Sequence, residues 1–185
     1  MVQGLCCAMV CRGWCAASCT LTYVATGEIV IRGAELSDLT ASALLISNHE
    51  SGALEDWQSR FERDLADPKR LFLVATVDDS VMGYGHTTLH SRTLDEEATY
   101  PSGYFLSGLM VSPDHRRKGI GKLLTIARID RLRQVTDIIY YRAESDNKAT
   151  IDLHSRLGFE RVGTVFRDGK EFILFSLELH SANRQ

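Results

Sequence analysis

The sequence predicts a single α/β (α+β) domain, with a mixed, mostly antiparallel sheet of about seven strands flanked by about four helices. Three observations predict it. Short β-rich runs alternate with apolar patterns of helical period. Two pairs of neighbouring β-rich runs are joined by turn residues, Asp78-Asp79-Ser80 and Asp168-Gly169. One strand–helix–strand passage in the middle of the chain is long enough to cross over between strands of one sheet. The composition agrees: 185 residues, 44% hydrophobic, 24% charged and three prolines suit one globular domain and exclude a fibre or a disordered chain.

The elements follow in order. Residues 28–32 alternate around Ile29 and Ile31 and predict a strand; Ser37 then offers a helix cap before Leu39, Ala43, Leu44 and Ile46. Residues 53–66 place Leu54, Trp57, Phe61 and Leu65 at helical spacing and stop at Asp67-Pro68, because the residue before proline avoids helical geometry. Residues 71–77 and 81–89 predict a hairpin. A polar connector over 91–102 leads into 104–111, apolar enough for a central strand. Residues 119–133 carry Ile120, Leu123, Leu124, Ala127 and Leu132 near one face and predict a helix; 138–143 predicts the next strand. Asp146-Asn147 can cap a helix over 148–157 that Gly158 ends, and residues 162–167 and 172–179 form the last hairpin.

The first 26 residues stand apart. They hold all five cysteines, at 6, 7, 11, 15 and 19, and one charge, Arg12. The apolar stretch from Leu5 is interrupted by Arg12 and Gly13 short of membrane-spanning length, and the basic start of a secretory signal is missing. Four of the cysteines recur every four residues, which lacks the tight pairs of a zinc site. We expect 1–26 to be a Cys-rich extension outside the fold and 27–185 to be the domain. With no thiol after residue 19, no disulfide staples the domain, which favours a cytoplasmic location. The chain has 21 basic and 24 acidic residues, net −3, and the single basic residue of the extension leaves the body at −4. That balance argues against nucleic acid and anionic membranes as partners.

Chemistry concentrates in Val111-Ser-Pro-Asp-His-Arg-Arg-Lys-Gly-Ile-Gly-Lys122, where a strand ends, a turn follows and a helix opens among glycines and cations. Helix N-terminal N–H groups, with the helix dipole behind them, attract phosphate, and glycine lets it approach the main chain. A P-loop needs G-x-x-x-x-G-K-[ST], and Gly119-Ile-Gly121-Lys-Leu-Leu124 lacks the third glycine of a dinucleotide fingerprint, so neither nucleotide hydrolysis nor NAD binding is supported.

The spacing Arg116-x-x-Gly119-x-Gly121 after V-x-P resembles the pyrophosphate loop of the GCN5-related N-acetyltransferases, the GNAT superfamily. A second segment, Asn147-Lys-Ala149-Thr-Ile-Asp-Leu-His154-Ser-Arg-Leu157-Gly-Phe159, resembles that family's helix pattern N-x-x-A-x-x-x-Y-x-x-x-G-F. The two lie in the family's order, and the resemblance covers about residues 27–179. It implies acetyl-CoA as co-substrate, bound by Met110, Val111, Arg116, Arg117, Lys118, Gly119, Ile120, Gly121, Lys122 and Asn147, with no metal.

The resemblance also implies a tyrosine donating a proton to the leaving sulfur, and His154 stands at that position. A histidine can donate near neutral pH, so His154 is the expected donor, ahead of Tyr140 and Tyr141. The family's common strand glutamate is absent from 104–111; Glu144 is the first candidate base, followed by Glu50, Glu55 and Asp56 in the region that walls the acceptor pocket. His86 and Tyr104 are further candidates for contact with the acceptor. The acidic stretches at 50–56 and 95–97 suit a cationic acceptor. Segments such as Gly103-Tyr-Phe-Leu-Ser-Gly-Leu-Met-Val and Tyr140-Tyr-Arg-Ala resemble aminoglycoside N-acetyltransferases, including the 2'-N kasugamycin-resistance type, which implies antibiotic resistance by acetylation. A protein N-terminus, a lysine or a polyamine is the alternative acceptor, and a non-catalytic acyl-CoA-binding sensor the alternative of another class. Homodimers, frequent in the family, are expected.

Overall fold

The computed structural model describes residues 23–25, 29–91, 101–167 and 169–179. Its elements are β1 (Tyr23–Ala25), β2 (Ile29–Gly33), α1 (Leu39–Ser47), α2 (Leu54–Ala66), β3 (Phe72–Val77), β4 (Ser80–His90), β5 (Gly103–Val111), α3 (Ile120–Leu132), β6 (Ile138–Glu144), α4 (Lys148–Arg156), β7 (Glu160–Arg167) and β8 (Lys170–Glu178). The eight strands form one sheet in the order β1-β2-β3-β4-β5-β6-β8-β7. All pairings are antiparallel except that of β5 with β6, which α3 connects.

The strand beyond the expected seven is β1, whose Tyr23–Ala25 pair with Ile29–Ile31. Tyr23–Ala25, in the stretch expected outside the fold, thus add to the sheet, while the boundary expected at 27 lies outside the described residues. The cysteines, the acidic run 95–97 and Asp168 lie outside the described residues. Ser37 does not cap α1: it sits in a single 3-10 turn, Leu36–Asp38, where the Asp38 carboxylate accepts from the Glu35 N–H and from Arg32. The residue that precedes α1 is Asp38, and with its carboxylate taken by Arg32 and Glu35 it makes no capping bond to the helix.

Helices cover both faces of the sheet, which is why residues 71–77 read as a continuous apolar run rather than an alternating one. Phe72, Val74 and Tyr84 pack under Leu39, Ala43, Ile46 and Phe61 of α1 and α2. On the opposite face Leu73 and Ala75 meet Ile120, Leu124 and Ala127 of α3. Farther along, Ile129 and Leu132 join Ile139, Tyr141 and Phe159, with Ile151 of α4 against them. Each large apolar side chain fully buried here, such as Leu124, contributes about 1.5–3 kcal/mol.

The sheet opens at one place. β5 and β6 are paired only at Tyr104–Ile139 and Phe105–Tyr140. Past Phe105, β5 follows β4 as far as Val111, whereas β6 follows β8 as far as Glu144. The two strands diverge into a wedge. A bulge accompanies it: His86 faces Ser107 and Gly85 faces Leu109, so Gly108, at φ +48°, is the extra residue.

Candidate active site

The wedge and the α1–α2 side of the sheet bound one cleft of about 630 Å³, lined by residues of α2, β4, β5, β6 and α4. Glu50, His86, Glu144, Asn147 and His154 are in its wall, whereas Glu55, Asp56 and Tyr104 are not. Glu55 and Asp56 occupy the first turn of α2, exposed, because Trp57 and Phe61 take the inward face of that helix. Tyr104 packs against the Ile129–Leu132 cluster instead.

The loop after β5 has the form of an anion cradle. Ser112 leads into the single turn Pro113–His115, and Gly119, at φ +87°, is the left-handed residue from which α3 starts. Arg116, Arg117, Lys118 and Lys122 are exposed around it. Arg116 donates to the Val111 carbonyl at 3.3 Å and has His49 Nε2 at 2.7 Å, which ties the cradle to the α1–α2 connection. Gly121 is helical, and a Cβ there would meet only ordinary contacts, the nearest at 3.7 Å. A Cβ at 121 would touch Leu109, Val111 and Leu153 at ordinary contact distance, so neither backbone nor packing requires glycine there, whereas the space beside the left-handed Gly119 is open. Met110 and Val111 end the strand edge that β6 has left.

His154 is 1% exposed and lies flat on Tyr141, ring centroids 3.7 Å apart and planes 4° from parallel. Its Nδ1 donates to the Thr150 carbonyl at 2.8 Å. A carbonyl only accepts, so the proton of the neutral ring is on Nδ1 and Nε2 carries a lone pair. Burial pushes the pKa down to about 4, so the ring is neutral at pH 7. The expectation of His154 as a neutral-pH proton donor is thereby corrected: Nε2, buried and without a partner, is an acceptor. The Tyr141 hydroxyl is also buried without a well-formed hydrogen bond, and burial raises its pKa above the ordinary value, so it keeps its proton.

Beneath the bulge lies Arg128, 1% exposed. Its Nη1 donates to the carbonyls of His86 and Ser107, both at 3.0 Å, its Nε to Leu124 at 3.2 Å and its Nη2 to Thr125 Oγ1 at 3.2 Å. Those partners are uncharged oxygens, so the cation is held by dipoles. Burial lowers its pKa to about 9, which leaves it charged at neutral pH. His86, above it, is pushed down to about 3 by burial and by the positive charge of Arg128. Glu144 is held by Lys170 at 2.8 Å, and Arg70 by Asp64 at 2.5 Å.

A family model for the acetyltransferase (GNAT) family matches residues 37–159. The chain belongs to that family. The mycothiol acetyltransferase of Paenarthrobacter aurescens is 29% identical over 130 residues, which span 68% of this chain and 39% of that protein. The N-alpha-acetyltransferase RimI of Mycobacterium tuberculosis is 29% identical over 103 residues, 56% of this chain and 60% of that protein. The chain thus spans about two-fifths of the mycothiol acetyltransferases it matches. Among solved structures, YncA of Salmonella typhimurium with acetyl-CoA superposes with a TM-score of 0.67 at 22% identity, covering 85% of this chain and 98% of that one, which shows the shared fold.

The acetyl donor of this GNAT enzyme family is acetyl-CoA, and the chain fits it on two counts: the open space beside the left-handed Gly119 at the start of α3 and the strand edge abandoned at Leu106–Val111. Asn147 caps α4 through Thr150 N–H and also lines the cleft. Among the described residues no group of three or more His, Cys, Asp or Glu is placed to hold a metal, and no helix is long and apolar enough to cross a membrane. Sequence reasoning missed Arg128 and Gly108. Both left a signal: an arginine on the apolar stripe of a helix, and a glycine inside an apolar strand.

Proposed function

We propose that this GNAT protein transfers the acetyl group of acetyl-CoA to a primary amine of a small acceptor that enters from the α1–α2 side of the cleft. The observation that carries the proposal is the wedge between β5 and β6, along whose open side β5 runs on to Val111, ahead of the turn into α3. Bound acetyl-CoA supplies an activated acetyl thioester. Main-chain N–H groups at Gly119–Gly121, with Arg116, Arg117, Lys118 and Lys122 around them, would hold its phosphates. Met110 and Val111 would bond its extended arm along the strand edge, and Asn147 would border it.

An alkylamine has a pKa of about 10.4, so the acceptor arrives protonated and the cleft must take up a proton. Glu144 and Glu50 are the carboxylates in its wall that can receive it, directly or through water. His154 Nε2 adds an acceptor at the far end.

The charge of the wall bears on the acceptor. Arg60, Arg70 and Arg142 line the cleft against Glu50 and Glu144, with Lys170 neutralising Glu144 and Asp64 neutralising Arg70. A polycationic aminoglycoside, including one acetylated at a kasugamycin-type 2'-amine, meets more cations than carboxylates there. An acceptor with one amine on an uncharged or anionic body is better supported, such as the α-amino group of a peptide or aminoacyl compound. The relatives named for mycothiol and N-alpha acetylation point the same way. We place this activity in the cytoplasm.

The test is thiol release from acetyl-CoA against aminoglycosides, kasugamycin, polyamines, peptides and aminoacyl amines, with product masses. One acetyl gained on an α-amino acceptor supports the reading. Turnover confined to aminoglycosides replaces the acceptor, and CoA binding without any turnover replaces the enzyme with a binding module.

A further inference from the structure

Arg60, Arg70, Arg128 and Arg142 line the cleft. Arg70 is bound by Asp64 and Asp67, Arg128 donates to main-chain and threonine oxygens, and Arg142 lies over the Phe172 ring, 5.0 Å from its centroid. Arg60, on α2, makes no hydrogen bond or ion pair with any described residue. The helix offers it two carboxylates: Asp56 and Asp64 stand four residues before and after it, the spacing at which helix side chains meet. Asp64 is taken by Arg70 at 2.5 Å, and the Arg60 guanidinium turns instead over the ring of Trp57, 5.4 Å from its centroid. That ring is a fixed platform. It packs on the α1–α2 core, 6.3 Å from Phe61, and its Nε1 is buried where a Cβ on Gly52, at φ +143°, would come within 2.8 Å of it. Arg60 itself is exposed in the cleft wall, so the N–H edge of the stacked guanidinium is available as a planar fork that matches a carboxylate.

We infer that Arg60 is a specificity-determining residue for the acceptor: it binds a carboxylate carried by the amine substrate, which leaves the amine to reach the wedge. The inference deepens the acetyl-transfer reading and rests on it. The acceptor class it selects is an amino compound with a carboxylate of its own, at the C-terminus of a short peptide or on an acidic side chain. A polyamine or an aminoglycoside has no group to place on Arg60. Glu50 and Glu144, in the same wall, suit the ammonium end of such a molecule, so its two charges are sorted between acid and base.

The first test needs no turnover. Trp14→Phe leaves Trp57 as the one tryptophan of the chain, so its emission reports on the ring beneath Arg60. With CoA bound at saturation, the protein is titrated with N-acetylalanine and with N-acetylalanine amide at constant ionic strength. The acid is expected to change Trp57 emission saturably, with a dissociation constant about ten-fold or more below that of the amide. Arg60→Gln should abolish the difference, and Arg60→Lys, which keeps the charge but not the planar fork, should restore part of it. Arg60 is exposed and holds no hydrogen bond, so Arg60→Gln should melt with wild type. Where a peptide is acetylated, alanylalanine and alanylglutamate amide are compared with alanylalanine amide. One of the two acids should have a KM about ten-fold lower, a preference that Arg60→Gln removes through KM rather than kcat. Which acid it is assigns the carboxylate to the C-terminus or to the side chain. Equal binding of N-acetylalanine and its amide, or a preference that survives Arg60→Gln, overturns the inference alone. Failure of wild type to bind CoA overturns the acetyl-transfer reading, and this inference with it.

Discussion

The imidazole of His86 fills the space into which a Cβ on Gly108 would project. The pair locks the β4–β5 bulge, and the Arg128 guanidinium holds the carbonyls of His86 and Ser107. Gly108→Ala would add both a left-handed alanine and a clash with a ring that Phe61, Phe72 and Tyr84 surround. We expect a loss of about 2–4 kcal/mol, from strain and overpacking together. Urea denaturation measures it; a midpoint equal to wild type would mean that the bulge relaxes without cost.

At Gly121 the expectation is opposite in stability and the same in function. Alanine there meets nothing closer than 3.7 Å and removes a flexible residue from a helix, so the thermal midpoint should hold or rise, by about 0.5 kcal/mol in stability. The added methyl would stand against Leu109, Val111 and Leu153, at the first turn of α3 whose main chain is proposed to hold phosphate. The acetyl-CoA KM should therefore rise about ten-fold or more, and Gly121→Glu should raise it further. A Gly121→Ala protein with the wild-type KM would remove the phosphate from this loop.

Most of this architecture was legible because it rests on local signals. The helix over 119–133 has an apolar stripe; the hairpin at Asp78-Asp79 has two residues able to take positive φ, observed at 48° and 59°; and Gly158 ends α4 at φ +91°. What escaped is what depends on contacts distant in sequence. Nothing around Ser37 reveals that Arg32 claims Asp38, and nothing in 138–144 reveals that Tyr141 and His154 stack. Glu55 and Asp56 looked like pocket residues because acidity is visible in a sequence and the rotation of a helix face is less so. The protonation of His154 required its Thr150 hydrogen bond and its burial, and neither is written in the residue type.

Glu144 is held by Lys170 at the exposed rim of the cleft. If it takes up the amine proton, Glu144→Gln lowers kcat by about 10- to 100-fold with little change in acetyl-CoA affinity. Because the pair is exposed, melting temperature should barely move in either Glu144→Gln or Lys170→Met. Steady-state kinetics of both variants, with Glu50→Gln beside them, assign the base: wild-type turnover in Glu144→Gln with a loss in Glu50→Gln transfers the role to Glu50.

The two buried histidines set how the fold responds to acid. His86 and His154 have pKa values pushed down to about 3 and about 4 by burial, against 6.5 in an unfolded chain. As pH falls below about 6.5 the unfolded chain binds protons that the folded one refuses, so stability drops. Linkage gives each histidine a slope of up to about 1.4 kcal/mol per pH unit. The loss continues to about pH 4 for His154 and about pH 3 for His86, where the folded protein also takes up the proton. Above pH 6.5 both states bind the neutral ring and neither histidine contributes a slope. His154→Phe removes one titrating group while keeping an aromatic ring against Tyr141, so between pH 6.5 and 4.5 its stability should fall about half as steeply as that of wild type. Urea midpoints at half-unit intervals across that window give the two slopes; parallel lines would mean that His154 is protonated as readily in the fold as out of it, and that its Nε2 is open to water.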